Sequence, residues 1–196
     1  TYFLPFNKGN NGGKGNPVGG GNYRTSYLWD EVLQKDSILD IIHRFIHLEN
    51  TEKETLIFPR YHQLDVVIKL VSDVKDKGTG NNYLIQHSAG SGKSNSIAWL
   101  SHHLSNLHDA NDKVIFNSTI VITDRRVLDK QLQDTIYQFE HVEGVVVKID
   151  SNSTQLAEAL NTGKKIIITT IQKFPFILEK INNFEGKRFA IIVDEA

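Results

Sequence analysis

The chain has 196 residues, 39% of them hydrophobic and 23% charged, which are the proportions of a folded domain rather than a disordered chain. Its 22 Lys and Arg against 23 Asp and Glu leave a net charge of −1, so any nucleic-acid contact must come from a local basic patch. The absence of Cys excludes disulfides, thiolate metal sites and a Cys nucleophile, and no apolar run approaches the roughly 18 residues of a membrane span.

In chain order, residues 1–6 have neither the basic start nor the long apolar core of a signal peptide. Residues 9–21 read GNNGGKGNPVGGG and hold seven of the 14 glycines, which predicts a mobile loop or linker. A phosphate-binding nest is the sharper reading of that stretch, but no helix signature adjoins it. Ser37 with Asp40 three residues later resembles a capping box, and Ile38, Leu39, Ile41, Ile42, Phe45 and Ile46 form a broad apolar stripe. A second helix is predicted over 60–77, with Leu64, Val67, Ile68, Val71 and Val74 on one face and Gly78 placed as its C-terminal cap. From there short β-branched runs at 83–86, 119–123, 145–149, 166–170 and 190–193 alternate with helical stretches at 94–107, 128–139, 154–160 and 175–181. That alternation predicts an α/β fold: a parallel sheet with right-handed crossovers. The chain begins at Thr1 and stops at Ala196, directly after an apolar run and an Asp-Glu pair, and is expected to be an internal piece of a larger protein.

The strongest chemical signal is His87-Ser88-Ala89-Gly90-Ser91-Gly92-Lys93-Ser94, a phosphate loop between a predicted strand and helix. The two glycines let the backbone turn its amides toward phosphate, and the helix N-terminus adds about half a positive charge. Lys93 supplies a mobile charge for the β- and γ-phosphates, and the Ser94 hydroxyl suits Mg²⁺. His87 takes the first slot, where Gly is usual. Asp194 and Glu195 follow an apolar run, as an ATPase requires: Asp194 to hold Mg²⁺ through water, Glu195 to polarise the attacking water. Gln63, in PRYHQ, offers a donor and an acceptor in one plane, matching the adenine edge. Arg125 and Arg126 after one predicted strand, and Thr170 and Lys173 at the end of another, suit contacts with a phosphodiester backbone. The eight histidines, an adjacent His102-His103 pair among them, read as surface residues rather than metal ligands.

Taken together, these motifs resemble the restriction (R) subunit of bacterial type I restriction-modification enzymes, a superfamily-two motor. LPFNKG, GNP and TSYLWDEVLQKDSILDIIHRFIH are similar to that family's segment joining nuclease to motor. FPRYHQLDVV resembles its adenine-reading motif, QHSAGSGKS its phosphate loop, VITDRRVLDKQL and IITTIQKF its DNA-strand motifs, and IIVDEA the start of its DEAH-type motif. The resemblance implies a RecA-like P-loop NTPase sheet with helices on both faces, incomplete here. Residues 1–56 would be the linker and helical segment, and 57–196 the N-terminal part of the first motor domain. It implies ATP and Mg²⁺ as cofactors, and double-stranded DNA and the modification (M) and specificity (S) subunits as partners. It also implies a bacterial cytoplasmic location and an ATP-dependent deoxyribonuclease as the parent enzyme. The nuclease site would precede this segment and the arginines of a second motor domain would follow it, so the isolated segment is expected to hydrolyse no ATP at a useful rate. Alternatives are another superfamily-two helicase or translocase, or a nucleotide-binding module without turnover; the segment from LPFNKG onward argues against the first, and intact Lys93, Ser94, Asp194 and Glu195 against the second.

Overall fold

A computed structural model describes residues 6–19, 23–50, 54–123, 126–140, 144–149, 153–176 and 185–194. The chain divides into two compact units, residues 1–66 and 67–196.

In the first unit residues 9–16 of the glycine-rich stretch are tied into a turn by their own hydrogen bonds. The Gly9 N–H donates to the Gly15 carbonyl at 2.8 Å, Asn10 and Gly13 exchange backbone bonds, and the buried Asn16 accepts the Lys8 N–H on Oδ1 at 2.6 Å. Phe6, Tyr27 and Tyr61 meet edge-on or stacked, with Phe6 and Tyr61 ring centroids 5.4 Å apart. The predicted capping box at Ser37 is not realised. Helix α1 is Lys35–Asp40, so Ser37 lies inside it, and the preceding Gln34 is extended and supplies no side-chain cap. The helix continues as a π-helical turn over Ile41–Phe45, whose Ile41 and Phe45 are fully buried. A hairpin that the sequence reading missed follows, β1 His47–Asn50 against β2 Glu54–Ile57, with Leu48 opposite Leu56.

Helix α2, Tyr61–Lys77, carries the chain from the first unit into the second. It ends as predicted: Gly78 has φ +75° and its N–H returns to the Val74 carbonyl at 2.8 Å. In the second unit the order is α3 Lys93–Ser105, β3 Ser118–Thr123, α4 Arg126–Gln138, β4 Val146–Lys148, α5 Ser153–Asn161, β5 Ile166–Thr170 and β6 Phe189–Val193. These four strands form one parallel sheet in the order β4-β5-β3-β6. β3 and β5 are buried along their whole length, which explains their unbroken apolar character.

The crossovers assign the faces. β3 to β4 moves one way across the sheet and β4 to β5 moves back, so right-handed connections put α4 and α5 on opposite faces. Leu156, Ala159 and Leu160 of α5 accordingly pack with Ile120, Ile122 and Ile167. Residues one position along those strands, among them Val121 and Ile168, are buried on the other face, against which α3 and α4 lie with the fully buried Trp99. This is the expected RecA-like α/β layering.

One predicted strand is missing. Residues 83–86 are irregular, and Leu84 is 94% exposed. A strand exists only through an edge that bonds it, and among the described residues β6 is bonded to β3 alone, with Ile191 and Val193 exposed beside it. The stretch is instead tethered through Tyr83, whose hydroxyl donates to Asp73 Oδ2 on α2 at 2.8 Å. The histidine reading also needs correction: His47 and His103 are buried, and His102 bonds the Ile136 carbonyl at 3.0 Å. No helix among the described residues is long and apolar enough to cross a membrane.

Candidate nucleotide site

The phosphate loop turns through two left-handed glycines, Gly90 at φ +71° and Gly92 at φ +85°, the second being the N-cap of α3. A side chain at either position would meet backbone strain, so these two glycines are needed where they stand. Position 87 makes no such demand: among the described residues only Asn11 and Asp112 are non-glycine with positive φ. The histidine in the first slot is therefore compatible with the turn. It also contributes to it, because His87 Nδ1 lies 3.0 Å from Ser91 Oγ and ties the loop's entry to its far side. The Ser91 N–H closes a turn on the Ser88 carbonyl at 3.2 Å, next to Ala89.

Beyond Gly92 the first helical residues are Lys93 and Ser94, both partly buried. Lys93 Nζ reaches Asp194 Oδ1 at 3.0 Å, joining the two motifs that lie a hundred residues apart in the chain. Sheet register explains the meeting. The Asp194 N–H donates to the Ile122 carbonyl at 2.9 Å, carrying the β3–β6 ladder one residue past Ile122 opposite Val193. Asp194 thus stands beside Thr123, and Thr123 pairs with Thr170 on β5. Three adjacent parallel strands present Thr170, Thr123 and Asp194 as a row at their carboxyl ends, on the face that carries α3.

The donors fit magnesium. Asp194 and Ser94 offer oxygen ligands, as a hard cation prefers, and the Lys93 ammonium stands beside the Asp194 carboxylate where a cation would. Polyphosphate would draw that ammonium away and leave the carboxylate for the metal.

The remaining expected residues fall into three groups. Glu195 and Arg125 lie outside the described residues, and Arg126 is described only as the first residue of α4. Thr170 is buried at the end of β5, while the Lys173 ammonium donates to the Ile149 carbonyl beyond β4. Gln63 belongs to the first unit, is 3% exposed, and accepts the Arg60 N–H on Oε1 at 2.8 Å. That is the back-bond of a helix N-terminus, with Gln three residues after the cap. The sequence reading missed this capping role, although PRYHQ before an apolar stripe was its signal. Thr123 was legible only as part of the DNA-strand motif VITDRR, and its place beside Asp194 is set by register.

Comparison with known proteins agrees with this geometry. The chain is 30% identical over 171 residues to a type I restriction enzyme endonuclease subunit of Staphylococcus aureus strain COL, covering 85% of this chain and 17% of the relative. The corresponding subunit of strain MW2 gives the same figures. A Methanocaldococcus jannaschii protein named for a type I restriction endonuclease subunit is 26% identical over 197 residues, covering 86% of this chain and 18% of its own. The chain therefore spans under a fifth of the length of these curated relatives. The family model for the SWI2/SNF2 ATPase matches residues 62–196, the stretch that holds Gln63, the phosphate loop and Asp194. With more than half of its length matched, and the loop lysine seated on the motif aspartate, the chain belongs to the SWI2/SNF2 ATPase family.

Proposed function

We propose that this chain is part of the ATP-driven motor of a type I restriction endonuclease R subunit, which hydrolyses ATP to pump duplex DNA before cleavage. The observation that carries the reading is the 3.0 Å contact between Lys93 Nζ and Asp194 Oδ1, which assembles a phosphate-binding cation and a metal-binding carboxylate at one helix N-terminus. Bound Mg²⁺ would neutralise charge on the β- and γ-phosphates. The backbone of residues 87–92 would cradle the phosphates and Lys93 would transfer its charge from Asp194 to them. Ser94 and Asp194 would hold the cation, Glu195 would orient water for attack, and Gln63 would read adenine. Arg125, Arg126, Thr170 and Lys173 would touch DNA phosphates. The whole protein would act in the cytoplasm with M and S subunits, as the resemblance implies.

The test is Lys93→Ala in the full-length protein. ATP turnover and translocation should fall below detection while the fold persists, because the side chain faces phosphate and carboxylate instead of the core. Near-normal turnover would sink the reading, and loss of folded protein would assign Lys93 a structural role.

A further inference from the structure

The unexplained feature of the site is a hydroxyl. Thr123 is 2% exposed, and its Oγ1 is buried with no hydrogen-bond partner among the described residues. Buried polar groups are nearly always bonded, so an orphan in a native core calls for a reason. Ser96, Ser118, Thr119 and Thr169 carry similar orphans, but register sets only Thr123 directly beside Asp194. Neighbouring parallel strands lie about 4.8 Å apart, and residues in register point to the same face. The carboxylate and the hydroxyl are therefore within reach of each other through side-chain rotation alone. In this structure the carboxylate is ion-paired with Lys93 at 3.0 Å, but Asp194 Oδ1, like the Thr123 hydroxyl, is buried with no hydrogen-bond partner among the described residues.

We propose that the Thr123 hydroxyl is the positioning partner of the Asp194 carboxylate once Lys93 has left it for nucleotide phosphate. A carboxylate has room for about four acceptor contacts, and losing the ammonium leaves it free to swing. A hydrogen bond from Thr123 to one oxygen would fix its plane and aim the other oxygen at the metal. Partners of this kind typically change metal affinity by about 10- to 100-fold when removed. The orphan hydroxyl is then a cost carried by the nucleotide-free state for a bond made only when nucleotide binds. This inference rests on the ATP-site reading above.

The experiment compares Thr123→Val, which keeps shape and removes the hydroxyl, with Thr123→Ser, which restores it, in the full-length protein. Three quantities are measured: the melting temperature without nucleotide, ATP affinity in EDTA, and the gain in ATP affinity on adding Mg²⁺. The valine variant should melt at or above the wild-type temperature and bind ATP in EDTA within twofold of it. It should lose about tenfold of the Mg²⁺-dependent gain. The serine variant should recover that gain. An unchanged gain in the valine variant overturns the proposal. So does a lower melting temperature, which would show the hydroxyl already bonded at rest, and so does failure of serine to rescue. Failure of the ATP-site reading is separate: it would appear as wild-type nucleotide affinity in Lys93→Ala.

Discussion

Lys93 holds the Asp194 carboxylate and, in the proposed site, would trade it for nucleotide phosphate. The pair is only partly buried, with side chains 40% and 12% exposed, so it holds about 1 kcal/mol or less against a polyphosphate lying on a helix N-terminus. The contact is thus strong enough to hold the lysine in place and weak enough to be displaced. Gln63 faces a comparable division of labour, since its Oε1 already serves the Arg60 N–H. Gln63→Ala should lose both functions: about 1 kcal/mol of helix capping and roughly tenfold in adenine discrimination. Gln63→Glu keeps the acceptor and removes the amide donor. Because the site is 3% exposed, the buried carboxylate should lower the melting temperature even though the Arg60 N–H keeps its acceptor, and the preference for ATP over GTP should be lost, as read by competition binding. Equal preference in wild type and Gln63→Glu would leave Gln63 as a cap alone.

At the scale of elements, the sheet edge at β4 and the irregular stretch before the phosphate loop are held differently. β4 is sealed by side chains: the Val146 N–H donates to Glu140 Oε1 at 2.9 Å, the Lys148 N–H to the Tyr137 hydroxyl at 3.1 Å, and Gln155 Nε2 donates to the Lys148 carbonyl at 3.2 Å. Such caps block further strand pairing at that edge. The stretch leading into the phosphate loop is tethered through Tyr83 to Asp73, and Asp73 also pairs with Lys77 at 2.6 Å. The Lys77 ammonium first, and the Tyr83 hydroxyl second, hold the Asp73 carboxyl below its usual 3.8. A depressed carboxyl stabilises the fold above its unfolded value, and that contribution fades as pH falls through the folded value. Tyr83→Phe should shift the Asp73 titration upward toward the ordinary value, measured by NMR. It should also narrow the acid range over which Asp73, now held low by Lys77 alone, contributes pH-dependent stability, while leaving helix α2 intact. An unmoved titration would mean that Lys77 alone sets it.

At the scale of the whole molecule, register gathers the chemistry at one end of the sheet. The C-termini of β3, β5 and β6 bring together Thr123, Thr170 and Asp194, and the segments that follow β3 and β5 contain Arg125, Arg126 and Lys173. A nucleotide-driven change at Asp194 would therefore be felt one strand away from the residues proposed to touch DNA. Neutralising Arg125, Arg126 or Lys173 should weaken DNA binding evenly across sequences, and should reduce the slope of log K against log salt by about one unit for each lost phosphate contact. For Lys173 the slope is the informative quantity, since its ammonium also donates to the Ile149 carbonyl. A loss confined to one DNA sequence would contradict backbone contact.

By itself the sequence determined the phosphate loop, the parallel α/β alternation, and the ends of α2 and β5, because these depend on local rules: glycines at left-handed turns, apolar periodicity, β-branched runs. It also named Lys93 and Asp194 as parts of one expected ATP site through motif chemistry, while their direct contact came from the structure. Tertiary structure decided what local rules leave open. The apolar run at 83–86 looks like a strand, yet strandhood depends on a neighbouring edge that no window of residues contains. Gln63 reads as a solvated or base-reading residue until burial and the Arg60 bond reveal a cap. Thr123 reads as part of a DNA-strand motif until the register of β3 against β6 sets its hydroxyl, which has no partner among the described residues, next to the Asp194 carboxylate. In each case the deciding contact joins groups whose proximity is set by sheet pairing or burial, which local sequence rules do not encode.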